Sequence, residues 1–112
     1  MNIDFSDVDG LKKVALDGRL DTAGVGAVEL RFSAGVIPSG ENTMVDMSKV
    51  EFMTSLGVRM FLSTARSLSV KGKKLVMFGA NPAVTDTIET MGFSDIVPLC
   101  ATEDDAIALL KA

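Results

Sequence analysis

The stretch that decides the fold runs from Val45 to Leu62 and reads VDMSKVEFMTSLGVRMFL. Its first residues continue an apolar run over 43–47, which predicts a buried strand, and a polar loop carrying Lys49 and Glu51 is predicted to follow. Thr54 and Ser55 then open a helical pattern. The predicted inner face of this central helix consists of Val58, Phe61, Leu62, Ala65 and Leu68.

The start of the central helix is the first candidate for function. Ser and Thr are preferred at this position because their side-chain oxygens accept hydrogen bonds from the free amide groups of the first turn. The same amide groups and the helix dipole favour a negative charge. We therefore expect the hydroxyl of Thr54 or Ser55 to cap the helix, at a place that would also tolerate a phosphate.

The residues before this stretch predict a hairpin and a helix. Apolar and polar residues alternate from Ile3 to Val8 and from Val14 to Leu20, which is typical of two strands, and Asp9-Gly10 between them is a strong turn signal. Asp21 or Thr22 can cap the helix that follows. Pro38 after Ile37 indicates that this helix ends there.

The residues after the central helix continue the alternation of strand and helix. Lys74–Phe78 predicts a buried strand, and Asn81-Pro82 predicts a capped helix that ends at Gly92. Ile96–Leu99 predicts a short edge strand because it contains a proline, and Thr102 opens the last helix. The sequence therefore predicts an α/β fold over residues 1–112 as one domain, with a mixed sheet, an opening antiparallel hairpin and about four helices.

Composition narrows the classes of function. The 112 residues are 47% hydrophobic and carry a net charge of −4, which argues against nucleic acid or an anionic membrane as the partner. The chain has no His and a single Cys100, so metal binding, a cofactor and catalysis by a thiol with a His base are not expected. The N-terminus lacks the apolar run of a signal peptide, and no segment is long enough to span a membrane, so we expect a cytoplasmic protein.

Catalytic motifs are missing from the sequence, and the acidic residues have ordinary structural explanations. Asp21 and Asp46 could form a carboxylate pair that works with Ser55 in a small enzyme or nucleotide-binding domain. A helix cap and a solvated strand end explain the same two residues without any chemistry, and we favour that explanation.

The first turns of the central helix could form a surface for a partner protein. Leu56 and Met60 lie one turn apart near Thr54, Ser55 and Arg59, and an exposed apolar stripe with a polar fringe is typical of a docking surface. Gly57 in a first helical turn suggests that another group approaches closely. The alternative is that Leu56 packs into the core beside Asp21, and the residues alone leave both interpretations open.

Several segments together resemble a STAS domain of the anti-sigma factor antagonist type. They are VALDGRLD at 14–21, MVDM at 44–47, FMTSLGVRMFL at 52–62, KKLVM at 73–77 and MGF at 91–93. The resemblance implies a β-sheet with helices packed on it and a binding module without enzymatic activity. It implies as partner an anti-sigma factor that is also a serine/threonine kinase, with a phosphatase that reverses the phosphorylation. A STAS subunit of a lipid-transport ABC system, which binds an ATPase, is a second interpretation.

The sequence departs from the family pattern at the regulatory position. The phosphoacceptor of the family usually precedes the glycine that corresponds to Gly57, and this chain has Leu56 there. Ser55 and Thr54 are therefore the candidate phosphoacceptors, and the other interpretation is that this chain is not switched by phosphate. The residues predicted to bind the partner are Asp21, Thr22, Thr54, Ser55, Leu56, Gly57, Arg59 and Met60.

Overall fold

One five-stranded sheet forms the centre of the computed structural model, which describes residues 1–112. The strands are β1 (Asn2–Val8), β2 (Leu11–Leu20), β3 (Thr43–Met53), β4 (Leu75–Phe78) and β5 (Leu99–Cys100), and they lie in the sheet in that order. β1 and β2 are antiparallel, and the other neighbours are parallel. The helices are α1 (Thr22–Val36), α2 (Ser55–Val70), α3 (Pro82–Met91) and α4 (Glu103–Lys111). The predicted mixed α/β architecture is confirmed.

The opening hairpin turns at the predicted residues. Asp9 has a φ of 53° and Gly10 a φ of 79°. Two-residue turns of this kind need positive φ at both positions, and Asp-Gly meets that need at little steric cost. The turn sets the register in which Val8 pairs with Leu11 and Asn2 with Asp17.

The helices cover the sheet unequally. α1, α2 and α3 pack on one face and share a core of 22 buried residues, in which the rings of Phe32 and Phe61 meet edge to face at 5.4 Å. α4 alone packs on the other face, where Ala106 and Leu110 contact a smaller cluster that includes Met44 and Phe78. The aliphatic and methionine-rich composition therefore forms two separate apolar layers.

The central strand is longer than predicted. β3 continues to Met53, so the prediction of a loop between Met47 and Phe52 is wrong. Pairing with β2 persists through two irregularities, one between Ala15 and Asp17 and one between Gly18 and Arg19. Such irregularities shift which side chains face the core, and Val50 and Met53 are buried while Lys49 and Glu51 are exposed. As a result Thr54 is the single residue between the end of β3 and the start of α2.

The last strand is shorter than predicted and begins later. Only Leu99 and Cys100 pair with β4, whereas Ile96 lies in a turn and the side chain of Val97 is buried. Pro98 has no amide proton to donate to a ladder, which limits the pairing. The predicted position of this last strand at the edge of the sheet is confirmed, because β5 is the outermost strand.

Candidate functional site

The candidate site lies where β2 and β3 end side by side. Leu20 and Met53 are partners in the parallel ladder, and each is followed within two residues by the start of a helix. Asp21 is the cap residue of α1 and Thr54 occupies the same position for α2. Two helix N-termini are therefore held next to each other at one end of the sheet.

Asp21 caps α1 as predicted. Its carboxylate accepts a hydrogen bond of 2.8 Å from the amide of Gly24. Arg19 lies 3.7 Å from the other carboxylate oxygen, and its guanidinium stands 4.8 Å from the centre of the Phe52 ring. Because Arg19 contacts both Asp21 and Phe52, it links the ends of β2 and β3 on the surface.

Thr54 is not a side-chain cap, so that prediction is wrong. Its hydroxyl donates to the carbonyl oxygen of Leu20 at 3.0 Å, and its amide donates to the same oxygen at 3.0 Å. The amides of Gly57 and Val58 bond to the Thr54 carbonyl, whereas those of Ser55 and Leu56 have no acceptor in the chain. The positive end of α2 is therefore available to a negative group.

Two glycines allow the helices to start this close to the strands. A Cβ at Gly24 would lie 1.8 Å from the carbonyl oxygen of Arg19, and a Cβ at Gly57 would lie 2.7 Å from Cγ of Met53. The close approach expected at Gly57 is therefore made by Met53, inside the fold. Gly57 is buried, so it is not on the accessible surface where the sequence placed it among the binding residues.

The residues predicted to bind a partner differ in how exposed their side chains are. Ser55 and Arg59 are exposed, Thr54 and Leu56 are half-buried, and Thr22 is exposed beside them at the start of α1. Met60 is only 1% exposed, so its prediction as an accessible residue is wrong. It falls on the stripe Gly57, Met60 and Thr64, which is buried with the core, and not on the outer stripe of α2.

The structure gives Leu56 an intermediate position. Its side chain packs against the edge of the large core while part of it stays accessible. We call the accessible residues at this end of the sheet the docking surface; they are Asp21, Thr22, Thr54, Ser55, Leu56 and Arg59. Arg19 and Phe52 border the same surface, with Phe52 39% exposed. Sequence reasoning missed Phe52 because the residues around it were predicted to form a loop. It missed Arg19 because the contact of Arg19 with Phe52 joins two strands that are far apart in the chain.

The carboxylate pair that the sequence offered as the less favoured alternative does not form. Asp46 pairs with Ala15 in the ladder, whereas Asp21 follows the end of β2 six residues further along, a distance of about 20 Å at the usual rise of a strand. Asp46 instead accepts hydrogen bonds from the amide and hydroxyl of Ser48 at 2.9 and 2.6 Å. No group of three or more acidic, Cys or His residues could hold a metal ion.

Cys100 lies away from this surface, on β5. Burial, and to a lesser degree the negative charge of Asp105, raise the pKa of its thiol above the ordinary value. A raised pKa keeps the thiol protonated near neutral pH, which makes it a poor nucleophile. Nothing in this environment supports covalent chemistry at Cys100.

The sequence model of the STAS domain family matches residues 2–106. The chain therefore belongs to the STAS domain family. A relative from Bordetella bronchiseptica, named "Putative anti-sigma factor antagonist BtrV", is 25% identical over 111 residues, which cover 99% of this chain and 96% of the relative.

Solved structures agree with this assignment. The crystal structure of an anti-sigma factor antagonist from Mycobacterium paratuberculosis is 25% identical, with a TM-score of 0.89 over 99% of this chain and 94% of that one. SpoIIAA in its unphosphorylated form is 20% identical, with a TM-score of 0.71 over 99% of both chains. The phosphorylated form of SpoIIAA from Bacillus is 21% identical, with a TM-score of 0.70 over 96% of this chain and 98% of that one. Both SpoIIAA structures share the fold.

No helix of the chain combines the length and apolar character needed to cross a membrane.

Proposed function

We propose that this chain is an anti-sigma factor antagonist that binds an anti-sigma factor through the docking surface. The observation that carries the proposal is the pairing of the two helix starts at the ends of β2 and β3, with Ser55 and Arg59 exposed beside a partly accessible Leu56. The names of the relatives support it, because BtrV and the Mycobacterium paratuberculosis protein are both described as anti-sigma factor antagonists.

The docking surface has the properties of a protein contact. Leu56 and Phe52 provide apolar area, Asp21 and Arg59 provide charges of both signs, and Thr22 provides a hydroxyl. Interfaces of this kind combine an apolar centre with a polar rim. The hydrogen bonds of Thr54 to Leu20 fix the start of α2 below this surface, and such preorganisation lowers the cost of binding.

The partner in this proposal is an anti-sigma factor of the serine/threonine kinase type, and Ser55 is the residue it phosphorylates. The hydroxyl of Ser55 is exposed and makes no hydrogen bond in the chain, and the amides of Ser55 and Leu56 are free to bind a phosphate. Arg59 follows one turn later on the same side of α2, where it can balance part of the new charge. A phosphatase would restore the binding form. Thr54 is the less suitable acceptor because its hydroxyl is engaged with Leu20.

The phosphate would change binding without unfolding the chain. It adds about −1.5 to −2 charges to the docking surface at a helix end that tolerates negative groups. An apolar or acidic partner face that fits the unmodified surface would then be repelled. The proposal therefore makes the chain a regulatory binding protein and assigns no enzymatic activity to it.

The test uses calorimetric titration of the protein with its cognate anti-sigma factor, identified from the genes beside its own. We expect Ser55→Glu to weaken binding at least about tenfold, because it puts a charge on a contact surface. Ser6→Glu adds the same charge on β1, far from the docking surface, and is the matched control. Equal affinities of the wild type and Ser55→Glu would contradict the proposed surface.

The phosphorylation is tested separately. The kinase and ATP are incubated with the wild type and with Ser55→Ala, and peptides are analysed by mass spectrometry. We expect one phosphate on Ser55 and none on the variant. A phosphate at another residue, or an unmodified protein beside a control antagonist that is labelled, would contradict this part of the proposal.

A further inference from the structure

Four cations lie along the outer side of α2 and just beyond its end. Arg59, Arg66 and Lys73 recur every seven residues, with Lys74 next to the last of them, and we call these four residues the basic stripe. Arg59 and Arg66 are about two turns, or about 10 Å, apart on α2, so their side chains point in similar directions. Lys73 and Lys74 follow beyond Val70, where α2 ends. Arg66 borders two adjoining surface depressions, one shared with Arg59 and one shared with Lys73 and Lys74, so the stripe is continuous.

The cations of the basic stripe are not neutralised within the chain. All four residues are exposed, and the ion pairs of the chain are Lys13 with Glu103 and Arg19 with Asp21, neither of which involves the stripe. Asp95 is the single acidic residue that borders either depression. The stripe holds four of the 11 Lys and Arg residues of a chain whose net charge is −4. It is therefore a local positive region on a negative protein.

Apolar side chains lie between the cations. Leu62 and Met91 border the depression between α2 and α3, and Met91 is 49% exposed. Ile96 and Leu109 border the second depression and are 49% and 37% exposed. A partner that fits must therefore offer negative groups spaced by about two helical turns and apolar groups between them.

We propose that the basic stripe binds an acidic amphipathic helix of a partner protein, with carboxylates seven residues apart and apolar side chains that enter the two depressions. Because the stripe is positively charged, a complementary partner carries negative charges. The apolar borders of the depressions favour a protein helix over a nucleic acid. The aromatic side chains exposed on this chain are Phe5 and Phe52, and neither borders the stripe, where it could stack on a base.

This site goes beyond the proposed docking surface. The two surfaces share Arg59, whereas Arg66, Lys73 and Lys74 contribute to the basic stripe alone. The stripe therefore extends the contact surface from the start of α2 towards Lys73 and Lys74. Because Arg66 and Lys73 do not belong to the docking surface, their variants test the basic stripe without testing the proposed function.

The test measures fluorescence anisotropy of a labelled 21-residue helical peptide with Glu every seven residues and Leu between them. A peptide of the same composition with a scrambled order is the reference. We expect the ordered peptide to bind more tightly, and binding to weaken as salt rises. Arg66→Gln and Lys73→Gln should each weaken it about 1.5- to 5-fold, the range expected for one exposed ion pair. Lys49→Gln and Arg31→Gln remove one exposed charge elsewhere and should leave it unchanged.

Three results would overturn the inference. The first is equal binding of the ordered and scrambled peptides by the wild type. The second is an equal loss of affinity in the stripe variants and in Lys49→Gln. The third is tighter binding of a single-stranded oligonucleotide or of vesicles containing phosphatidylserine through Arg66 and Lys73, which would assign the stripe to another class of partner. Circular dichroism of each variant confirms that its fold is retained.

Discussion

Both the amide and the hydroxyl of Thr54 donate hydrogen bonds to the carbonyl oxygen of Leu20, each at 3.0 Å. Leu20 ends β2, and Thr54 is the last residue before α2, 34 positions later in the chain. The two hydrogen bonds therefore fix the start of α2 to a neighbouring strand. They also use the hydroxyl that would otherwise cap the helix, which leaves the amides of Ser55 and Leu56 free.

The first prediction concerns this hydroxyl. Thr54→Val keeps the shape of the side chain and the amide hydrogen bond but removes the hydroxyl hydrogen bond. We expect the free energy of unfolding to fall by about 0.5–1.5 kcal/mol, the net value of one such bond. Thr54→Ser keeps the donor and should lose less. Urea denaturation measures both, and a stability of Thr54→Val equal to that of the wild type would show that the bond contributes nothing.

The second prediction compares two helical glycines. Gly57→Ala gains helix propensity but places a Cβ 2.7 Å from Cγ of Met53, and such overpacking typically costs about 1–3 kcal/mol. Gly26→Ala in α1 gains about 1 kcal/mol from propensity and has no neighbour within 4 Å. Thermal unfolding should therefore show a lower Tm for Gly57→Ala and a higher Tm for Gly26→Ala. Equal increases would mean that the approach of Met53 to Gly57 imposes no constraint.

The third prediction concerns the attachment of α4. Lys13 on β2 and Glu103 in the first turn of α4 form an ion pair at 2.6 Å, with side chains 21% and 33% exposed. Glu103→Gln should lower the free energy of unfolding by about 0.5–1 kcal/mol at low salt, and by less in 1 M salt because the charges are screened. Asp104→Asn is the control, since it removes a charge from the same helical turn without breaking the pair. Identical losses in the two variants, measured in urea, would assign the effect to the helix dipole alone.

The fourth prediction concerns Cys100. Burial first, and the charge of Asp105 second, raise the pKa of its thiol. Because the thiolate is the reactive form, alkylation by iodoacetamide at pH 8 should be slower than that of a free thiol. Asp105→Asn removes the negative charge, lowers the pKa and should speed the reaction. An unchanged or slower rate in Asp105→Asn would contradict the electrostatic contribution.

Local signals in the sequence predicted much of the fold. Asp9-Gly10 specifies its turn through the dihedral angles it can adopt, and Asp21 and Asn81 cap helices through amides three residues away. These features depend on neighbours in the chain, so a single sequence contains the information. The alternation of strands and helices likewise predicted the mixed sheet.

Long-range contacts explain what the sequence could not predict. The acceptor of the Thr54 hydroxyl lies 34 residues away, and the extension of β3 depends on irregular pairing with β2. Met60 is buried because its side of α2 packs into the core with Gly57 and Thr64, and helical spacing alone does not tell which of two adjacent stripes is covered. The basic stripe also depends on distant segments, since Met91 and Ile96 border it from outside α2.

The central claim is that a partner protein binds where α1 and α2 begin. The most direct test records amide chemical shifts of the isotope-labelled protein while unlabelled cognate anti-sigma factor is added. We predict that the largest changes fall on Asp21, Thr22, Ser55, Leu56 and Arg59. Changes that instead concentrate on α4, around Asp104 and Ile107, with the first turns of α1 and α2 unaffected, would contradict the account.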